Sequence, residues 1–264
     1  MYDYLIIGNG IAGLSAAEEI RKHEETATIL IVSDEKGHTY WRTRLSELIA
    51  KDFNDDEILV KKDPWYNDRH IEERFNTKVV KIDKDNKVAY LEDGEEIEYG
   101  KVLIATGAHA FIPPIKNADS QGVFAIRSSE DLVKFKNYVK GKKKLVIIGG
   151  GILGLEAADS AHKLGLDILV IEAFDYLLAR QLDRDLSGKL EKALNEMGIE
   201  TLTGKNTKEI LIEDGHVVGV KLSDDSEIKA DAIMIQAGVR SNIEIAQNSD
   251  LATDCLLYTS DAAD

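Results

Sequence analysis

Gly8-Asn9-Gly10-Ile11-Ala12-Gly13 is the stretch that decides the fold of this chain. It follows an apolar run, residues 4–7, and leads into the helix-like segment 14–20. In such a loop the first glycine permits a sharp turn, the second lets a pyrophosphate approach the backbone, and the third allows close packing of helix on strand. A strand, a glycine turn and a helix in this order predict a dinucleotide-binding loop with the phosphates at the helix N-terminus.

The same arrangement occurs a second time, about one domain length further along the chain. Residues 144–148 lead into Gly149-Gly150-Gly151-Ile152-Leu153-Gly154, and residues 155–158 continue as a helix. One glycine loop is a weak signal, but two in matching contexts are a strong one. Between them, residues 78–99 contain three strand-like runs separated by the turns Asp85-Asn86 and Asp93-Gly94. We therefore predict an α/β protein with two Rossmann-like, FAD/NAD(P)-binding domains and a β-meander.

The composition limits the classes of partner. The chain has 264 residues, 44% of them hydrophobic and 31% charged, with a net charge of −15. That charge argues against binding to nucleic acid or to an anionic membrane, because both need a basic surface. The longest uncharged apolar stretch, residues 145–155, is too short to span a bilayer.

Cysteine and histidine usage limits the chemistry. Cys255 is the single cysteine, so no internal disulfide can form, and the six histidines are scattered without ligand spacing. The first predicted strand begins within a few residues of Met1, so we expect no secretory leader. These observations predict a cytoplasmic protein without a metal site.

Acidic residues follow the second strand of each predicted domain. Glu172 ends the strand 167–171 and lies 23 positions after Gly149, the spacing at which a carboxylate accepts hydrogen bonds from an adenosine ribose. Such a carboxylate repels a 2′-phosphate, so the second loop is predicted to prefer NADH over NADPH. In the first domain Glu35 is the candidate, 27 positions after Gly8, and Asp34 is the competing choice.

Helix starts and further motifs can also be read from the sequence. Ser128-Ser129-Glu130-Asp131 predicts the start of a helix that runs to about Val139.

Four other stretches carry a resemblance to a known family. They are Tyr40-Trp41-Arg42-Thr43-Arg44-Leu45, residues 58–62 with Trp65-Tyr66, Ala105-Thr106-Gly107, and Arg180-Gln181-Leu182-Asp183-Arg184-Asp185. On these stretches the chain resembles flavoproteins of the pyridine nucleotide-disulfide oxidoreductase superfamily. The similar branch carries no redox-active cysteine pair and includes NADH:rubredoxin oxidoreductases and the flavin modules of nitrite reductases.

The resemblance implies two cofactors, FAD at the first loop and NADH at the second. For FAD it implies a site made of Gly8, Gly10, Ile11, Ala12, Gly13, Asp34, Glu35, Arg42, Val80, Ala105, Thr106 and Gly107. For NADH it implies a site made of Gly149, Gly151, Ile152, Leu153, Gly154, Glu172 and Gly238. In this scheme the Arg42 guanidinium pairs with pyrophosphate, and Val80 contacts adenine through its backbone.

The resemblance also implies a reaction. Electrons would pass from NADH through FAD to a small iron–sulfur protein such as rubredoxin, and Glu156 would orient the nicotinamide carboxamide. Relatives often carry a lysine where Glu47 stands, so a compensating cation, Arg44 or Lys51, is an open question. A coenzyme A-disulfide reductase or NADH oxidase would require a cysteine near Ser46, where none exists. The alternatives are a nitrite reductase flavin module and an NADH-binding module without turnover.

The resemblance predicts four segments. They are the first part of the FAD domain (1–110), the NADH domain (111–238), the start of a return to the FAD domain (239–254) and a non-native tail (255–264). We expect the first domain to be incomplete, because a further flavin-contacting strand and a C-terminal domain do not follow. On this basis the 264-residue chain is expected to bind FAD weakly or not at all.

Overall fold

Short strands and helices alternate along the chain in the computed structural model, which describes residues 1–253. The helices are α1 (Ile11–His23), α2 (Leu45–Leu48), α3 (Asp55–Ile58), α4 (Asp63–Asn67), α5 (Ser129–Tyr138), α6 (Ile152–Lys163), α7 (Arg184–Glu196) and α8 (Glu244–Gln247), with a 3-10 turn at Arg42–Arg44. The first eight strands are β1 (Tyr2–Ile7), β2 (Ile29–Val32), β3 (Ile71–Arg74), β4 (Val79–Asp83), β5 (Val88–Leu91), β6 (Glu96–Ile104), β7 (Ala108–Ala110) and β8 (Val123–Phe124). The others are β9 (Lys144–Ile148), β10 (Asp167–Ile171), β11 (Ile199–Leu202), β12 (Thr207–Glu213), β13 (His216–Leu222), β14 (Glu227–Lys229), β15 (Ala232–Ile235) and β16 (Val239–Ser241).

The first of two units comprises residues 1–41, 55–109 and, within the described part, 240–253. Its sheet has the order β3-β2-β1-β6-β5-β4. The four strands β3, β2, β1 and β6 pair in parallel, whereas β4, β5 and the first part of β6 form an antiparallel meander. The nine-residue strand β6 therefore belongs both to a Rossmann-like parallel sheet and to the meander.

The side chains of β1 alternate between two cores, as the period of a strand requires. Leu5 and Ile7 pack with the meander and with Leu30 and Val32 of β2. Ile6 packs on the opposite face with α1. Both faces of the parallel sheet are thus buried, and the apolar run before the first glycine loop contributes side chains to the core on each face.

The second unit comprises residues 42–54 and 110–239. Its five strands are parallel, in the order β11-β10-β9-β15-β8. Alternate residues of β9, β10 and β15 pack against the antiparallel sheet β12-β13-β14. The helices α6 and α7 connect β9 to β10 and β10 to β11, which makes a second βαβ array.

The predicted class is confirmed: the fold is α/β, with two Rossmann-like parallel sheets and a meander.

Residues 42–54 belong to the second unit, although their order in the sequence places them in the segment predicted as the first domain. Side-chain contacts explain this, because Lys136 Nζ donates to the carbonyl of Leu48 at 3.3 Å and Ser46 binds a side chain of α6. Within residues 1–253, no helix combines the length and the apolar character needed to cross a bilayer. The predicted tail, residues 255–264, lies outside the described residues.

Candidate functional site

The glycines of the first loop are required for different reasons. Gly8 has a φ of +113°, and a Cβ atom there would lie 2.2 Å from the carbonyl oxygen of Ala105. A Cβ at Gly13 would lie 2.1 Å from the carbonyl oxygen of Gly8. A Cβ at Gly10 would meet nothing within 4 Å. Gly8 and Gly13 thus allow the backbone to pack, whereas Gly10 leaves space for a ligand.

The second loop repeats this geometry. Gly149 has a φ of +118°, and its Cβ would lie 2.3 Å from the carbonyl oxygen of Gln236. A Cβ at Gly154 would lie 2.0 Å from the carbonyl oxygen of Gly149, and one at Gly151 would meet nothing within 4 Å. The two predicted loops are therefore equivalent, each packed on a neighbouring strand end and each open at its middle glycine.

Each loop leads into a helix whose N-terminus is suited to an anion. Gly10 and Gly151 are the N-caps of α1 and α6, with extended backbone and no side-chain cap. Neither helix has an acidic residue in its first turn. The first N–H groups of each helix and its positive end can therefore interact with phosphate. The residues present fit a dinucleotide at both loops.

Glu172 lies directly against the second loop. One carboxylate oxygen accepts a hydrogen bond from the N–H of Gly150 at 2.6 Å, and the other accepts one from the N–H of Phe174 at 2.8 Å. The residue is only 9% exposed. These two bonds hold the carboxylate in one orientation, and each oxygen keeps a further lone pair.

The candidates in the first unit are arranged differently. Glu35 accepts a hydrogen bond from the hydroxyl of Tyr40 at 2.7 Å. Asp34 is exposed and lines an open cleft of about 420 Å³ together with Thr77, Lys78 and Glu92. The choice between Glu35 and Asp34 stays a prediction.

The segment Ala105-Thr106-Gly107 follows β6 and packs beside the first loop. The N–H of Ala105 donates to the carbonyl of Ile7 at 2.7 Å, and Gly107 has a φ of +69°. The side chain of Asn242 donates to the carbonyl of Thr106 at 2.7 Å, and the hydroxyl of Thr106 donates to the carbonyl of Asn242 at 2.9 Å. Sequence reasoning missed Asn242, because no local pattern indicates this contact between distant parts of the chain.

Val80 lies at a register shift of β4, between the pairs Val79–Leu91 and Lys81–Tyr90. Its carbonyl accepts a hydrogen bond from the side chain of Asn248 at 3.2 Å. A residue at such a bulge is outside the regular ladder, so its backbone groups can serve other contacts.

Arg42 and Glu156 both belong to the second unit. An Nη atom of Arg42 donates to the carbonyl of Arg127 at 2.6 Å, and the two residues line a cavity of about 40 Å³ together with Ser46, Leu153 and Gln236. That volume is about the size of one or two water molecules. Arg127 and Gln236 were missed by the sequence analysis, because neither is part of a glycine motif.

The carboxylate of Glu156 is exposed and accepts a hydrogen bond from the hydroxyl of Ser46 at 2.8 Å. Glu47, at the position where relatives often have lysine, binds Lys51 and lies 3.8 Å from the guanidinium of Arg44. The hydrogen bond from Lys51 lowers the pKa of Glu47. Both candidate cations thus pair with Glu47, while Glu156 accepts a hydrogen bond from Ser46.

Gly238 precedes β16 and has a φ of +106° with open space on its side-chain position. Its carbonyl accepts a hydrogen bond from the N–H of Phe111 at 2.9 Å.

Among residues 1–253, no group of three or more histidine, cysteine, aspartate or glutamate side chains is arranged to hold a metal ion.

Comparisons with known proteins agree with this geometry. The profile of the pyridine nucleotide-disulphide oxidoreductase family matches residues 2–256. Rhodocoxin reductase of Rhodococcus erythropolis is 36% identical over 251 residues, which are 95% of this chain and 59% of that protein. Nitrite reductase (NAD(P)H) of Bacillus subtilis is 34% identical over 94% of this chain and 31% of its own length.

A comparison with a solved structure supports the same family. The crystal structure of NADH:rubredoxin oxidoreductase from Clostridium acetobutylicum superimposes with a TM-score of 0.81 and 33% identity, covering 96% of this chain and 62% of that one. The chain spans 31% to 62% of the length of these three proteins. The family match covers nearly all of the chain, and the resemblance read from the sequence is confirmed at this level. The chain belongs to the pyridine nucleotide-disulphide oxidoreductase family.

Proposed function

We propose that this chain is the nucleotide-binding part of an FAD-dependent NADH oxidoreductase that passes electrons to a small iron–sulfur protein. One observation carries the proposal: two glycine loops with the same geometry, one in each unit, both open at the middle glycine. A single nucleotide would need only one such loop. Two of them support a protein that binds two dinucleotides, as an NADH-oxidising flavoprotein does.

FAD is assigned to the first loop. Its pyrophosphate would be held by Gly10, Ile11 and Ala12 at the start of α1, with Gly8 and Gly13 shaping the turn. The other residues proposed for this site are Asp34, Glu35, Arg42, Val80, Ala105, Thr106 and Gly107. Arg42 would supply a guanidinium, which binds pyrophosphate in bidentate fashion.

NADH is assigned to the second loop. Gly149, Gly151, Ile152, Leu153 and Gly154 would hold its pyrophosphate, Glu172 its adenosine ribose, and Gly238 would lie near its nicotinamide. The Glu172 carboxylate is oriented by its two hydrogen bonds, and its remaining lone pairs can accept hydrogen bonds from the ribose hydroxyls. A fixed negative charge there disfavours a 2′-phosphate, so NADH is preferred over NADPH.

The preference can be tested at Glu172. Glu172→Gln keeps an oxygen for the N–H of Gly150 but removes the charge, so the ratio of the NADPH to the NADH dissociation constant should fall about tenfold. Glu200→Gln, which changes an exposed carboxylate in β11, is the matched control and should leave the ratio unchanged. An unchanged ratio in Glu172→Gln would refute the assigned role.

The chemistry comes from the cofactor and the positioning from the chain. Bound FAD would accept electrons in pairs and release them singly, which suits a pyridine nucleotide donor and a one-electron acceptor. Glu156, oriented by Ser46, would accept a hydrogen bond from the nicotinamide carboxamide. No cysteine occurs in residues 40–50, so the dithiol relay of the disulfide-reducing members has no counterpart there.

The acceptor is proposed from the relatives. One is named a rhodocoxin reductase and another an NADH:rubredoxin oxidoreductase, so a rubredoxin-like protein is the first choice. The nitrite reductase relative supports a second candidate, the flavin module of such an enzyme. Both candidates share the step in which NADH is oxidised.

The experiment is an anaerobic titration of the FAD-supplemented chain with NADH. Loss of the flavin's visible absorbance supports the oxidoreductase, and its return on adding rubredoxin names the acceptor. NADH binding without any change in flavin absorbance would favour an NADH-binding module without turnover.

A further inference from the structure

A polar cluster lies within the first unit next to the first glycine loop. Its members are Asn9 of the loop, Thr39 and His38 of the segment after β2, Glu73 of β3, and Asp63, the first residue of α4. No member except Asn9 belongs to the glycine motif, and the proposed reaction uses none of them.

Every polar atom of the Asn9 side chain has a specific partner. Its oxygen accepts a hydrogen bond from the Thr39 hydroxyl at 2.6 Å. Its nitrogen donates to a carboxylate oxygen of Glu73 at 2.9 Å and to the carbonyl of Gly37 at 3.3 Å. Because the carbonyl oxygen of Gly37 can only accept, the Asn9 nitrogen must face it, and the amide orientation is determined by the cluster.

The Glu73 side chain is only 7% exposed. Its second oxygen lies 2.7 Å from Nδ1 of His38, whose Nε2 lies 2.9 Å from the exposed carboxylate of Asp63. The His38 ring stacks on Tyr66 with centroids 4.5 Å apart. Burial raises the pKa of Glu73, and the nearby His38 acts in the opposite direction. Burying a carboxylate costs free energy, so its position needs a compensating interaction.

The two loops differ in the hydrogen bond that holds the residue before the open glycine. The equivalent position there is Gly150, which has no side chain and is tethered instead through its N–H to Glu172. The first loop is tethered through a side chain to β3. In both loops the tethered residue immediately precedes the open glycine, Gly10 or Gly151.

We propose that Asn9 and Glu73 are positioning residues that hold the first glycine loop in its nucleotide-binding form, Glu73 acting through Asn9. Neither residue needs to touch the nucleotide. The link to FAD rests on the proposed function, whereas the tether itself is a property of the protein alone.

Amide hydrogen exchange tests the tether without any ligand. The reporters are the N–H groups of Gly8 and Leu14, which bind the carbonyls of Val32 and Gly10. Their counterparts in the second loop, Gly149 and Leu155, bind Ile171 and Gly151 and serve as internal controls. Asn9→Gly copies the second loop, and Glu73→Leu removes the acceptor. Both should accelerate exchange at Gly8 and Leu14 about tenfold, the effect of one charge-assisted hydrogen bond, and leave Gly149 and Leu155 unchanged.

Glu73→Gln is the conservative rescue, because its amide oxygen can still accept from Asn9. Exchange at Gly8 and Leu14 should stay within about threefold of the wild-type rates. Wild-type exchange in Asn9→Gly would overturn the proposal, even if Glu73→Leu fails to fold. Rates in Glu73→Gln as fast as those in Asn9→Gly would overturn the role of the Glu73 acceptor.

The consequence for nucleotide binding is measured separately with FAD as the probe. Asn9→Gly should weaken FAD binding about tenfold and leave NADH binding unchanged, while Glu73→Gln keeps the wild-type FAD affinity. Equal FAD affinity in Asn9→Gly and wild type would overturn the coupling to FAD. If the wild-type chain bound no FAD at any concentration, as expected for an incomplete first domain, the exchange rates alone would decide the tether.

Discussion

At the scale of the residue, the two loops show which details a motif can predict. The pattern predicts a turn glycine, an open glycine and a packing glycine, and Gly8, Gly10 and Gly13 have these environments. The pattern says nothing about Asn9, whose side chain reaches Glu73, 64 positions away. Contacts of that range have no period in the sequence, so only the fold reveals them.

The crowding around Gly8 predicts an asymmetric effect of adding one methyl group. Gly8→Ala places a Cβ 2.2 Å from the carbonyl oxygen of Ala105 at a positive φ, and should lower the free energy of unfolding by about 3 kcal/mol. Gly10→Ala has open space and a φ of −92°, and should lower the free energy of unfolding by no more than about 1 kcal/mol, the usual loss for alanine at an N-cap. Urea unfolding of both variants measures the difference, and equal midpoints would contradict the observed packing.

The buried carboxyl of Glu73 predicts a pH dependence of stability. The ionisable groups that face it are His38, Asp63 and Tyr66, and burial raises its pKa above the usual value of 4.5. The folded state therefore holds this proton more tightly than the unfolded chain does. The stabilisation from protonated Glu73 is complete below the unfolded pKa and is lost as the pH rises through the folded pKa.

Glu73→Gln removes this titration. Relative to the variant, the wild-type protein should be most stable below the unfolded pKa of Glu73 and should lose that advantage as the pH rises through its raised folded pKa. Denaturant unfolding of both proteins at a series of pH values measures it. A difference that is flat, or that grows with rising pH, would show that the folded state does not raise the pKa of Glu73.

At the scale of the element, the sequence predicts most of what is local. The apolar runs before each glycine loop form β1 and β9, and the helices predicted from residues 14 and 155 begin three residues earlier, at Ile11 and Ile152. The assignment of residues 42–54 to a unit could not be predicted in this way. It depends on contacts such as the bond between Ser46 and Glu156, 110 positions apart.

The start of α5 is a local signal that the structure confirms. The hydroxyl of Ser128 accepts a hydrogen bond from the N–H of Asp131, and the carboxylate of Asp131 accepts one from the N–H of Ser128 at 2.8 Å. Ser128→Ala leaves the N–H of Asp131 without this acceptor and should cost about 1 kcal/mol of unfolding free energy. Ser128→Asn, which can cap equally well, should cost far less, and thermal unfolding of the two variants distinguishes them. Equal losses in the two variants would show that capping is not what Ser128 contributes.

At the scale of the whole molecule, the chain consists of two units that share the same βαβ arrangement around a glycine loop. Each has a parallel sheet, a glycine loop that packs against a neighbouring strand end, and a helix N-terminus without a competing acidic side chain. What distinguishes them is the tether, which is Glu172 in one unit and Asn9 with Glu73 in the other. We propose that the two loops bind different nucleotides.

The most direct test is calorimetric titration of three proteins with FAD and with NADH. The proteins are the wild type, Gly10→Val and Gly151→Val, in which the added Cβ atom extends into the open space of one loop. Two independent sites are predicted in the wild type, so that saturating NADH does not displace FAD, even where FAD binds weakly. Gly10→Val should lose FAD binding alone, and Gly151→Val should lose NADH binding alone. Competition between FAD and NADH for one site, or loss of the same nucleotide in both variants, would contradict the account.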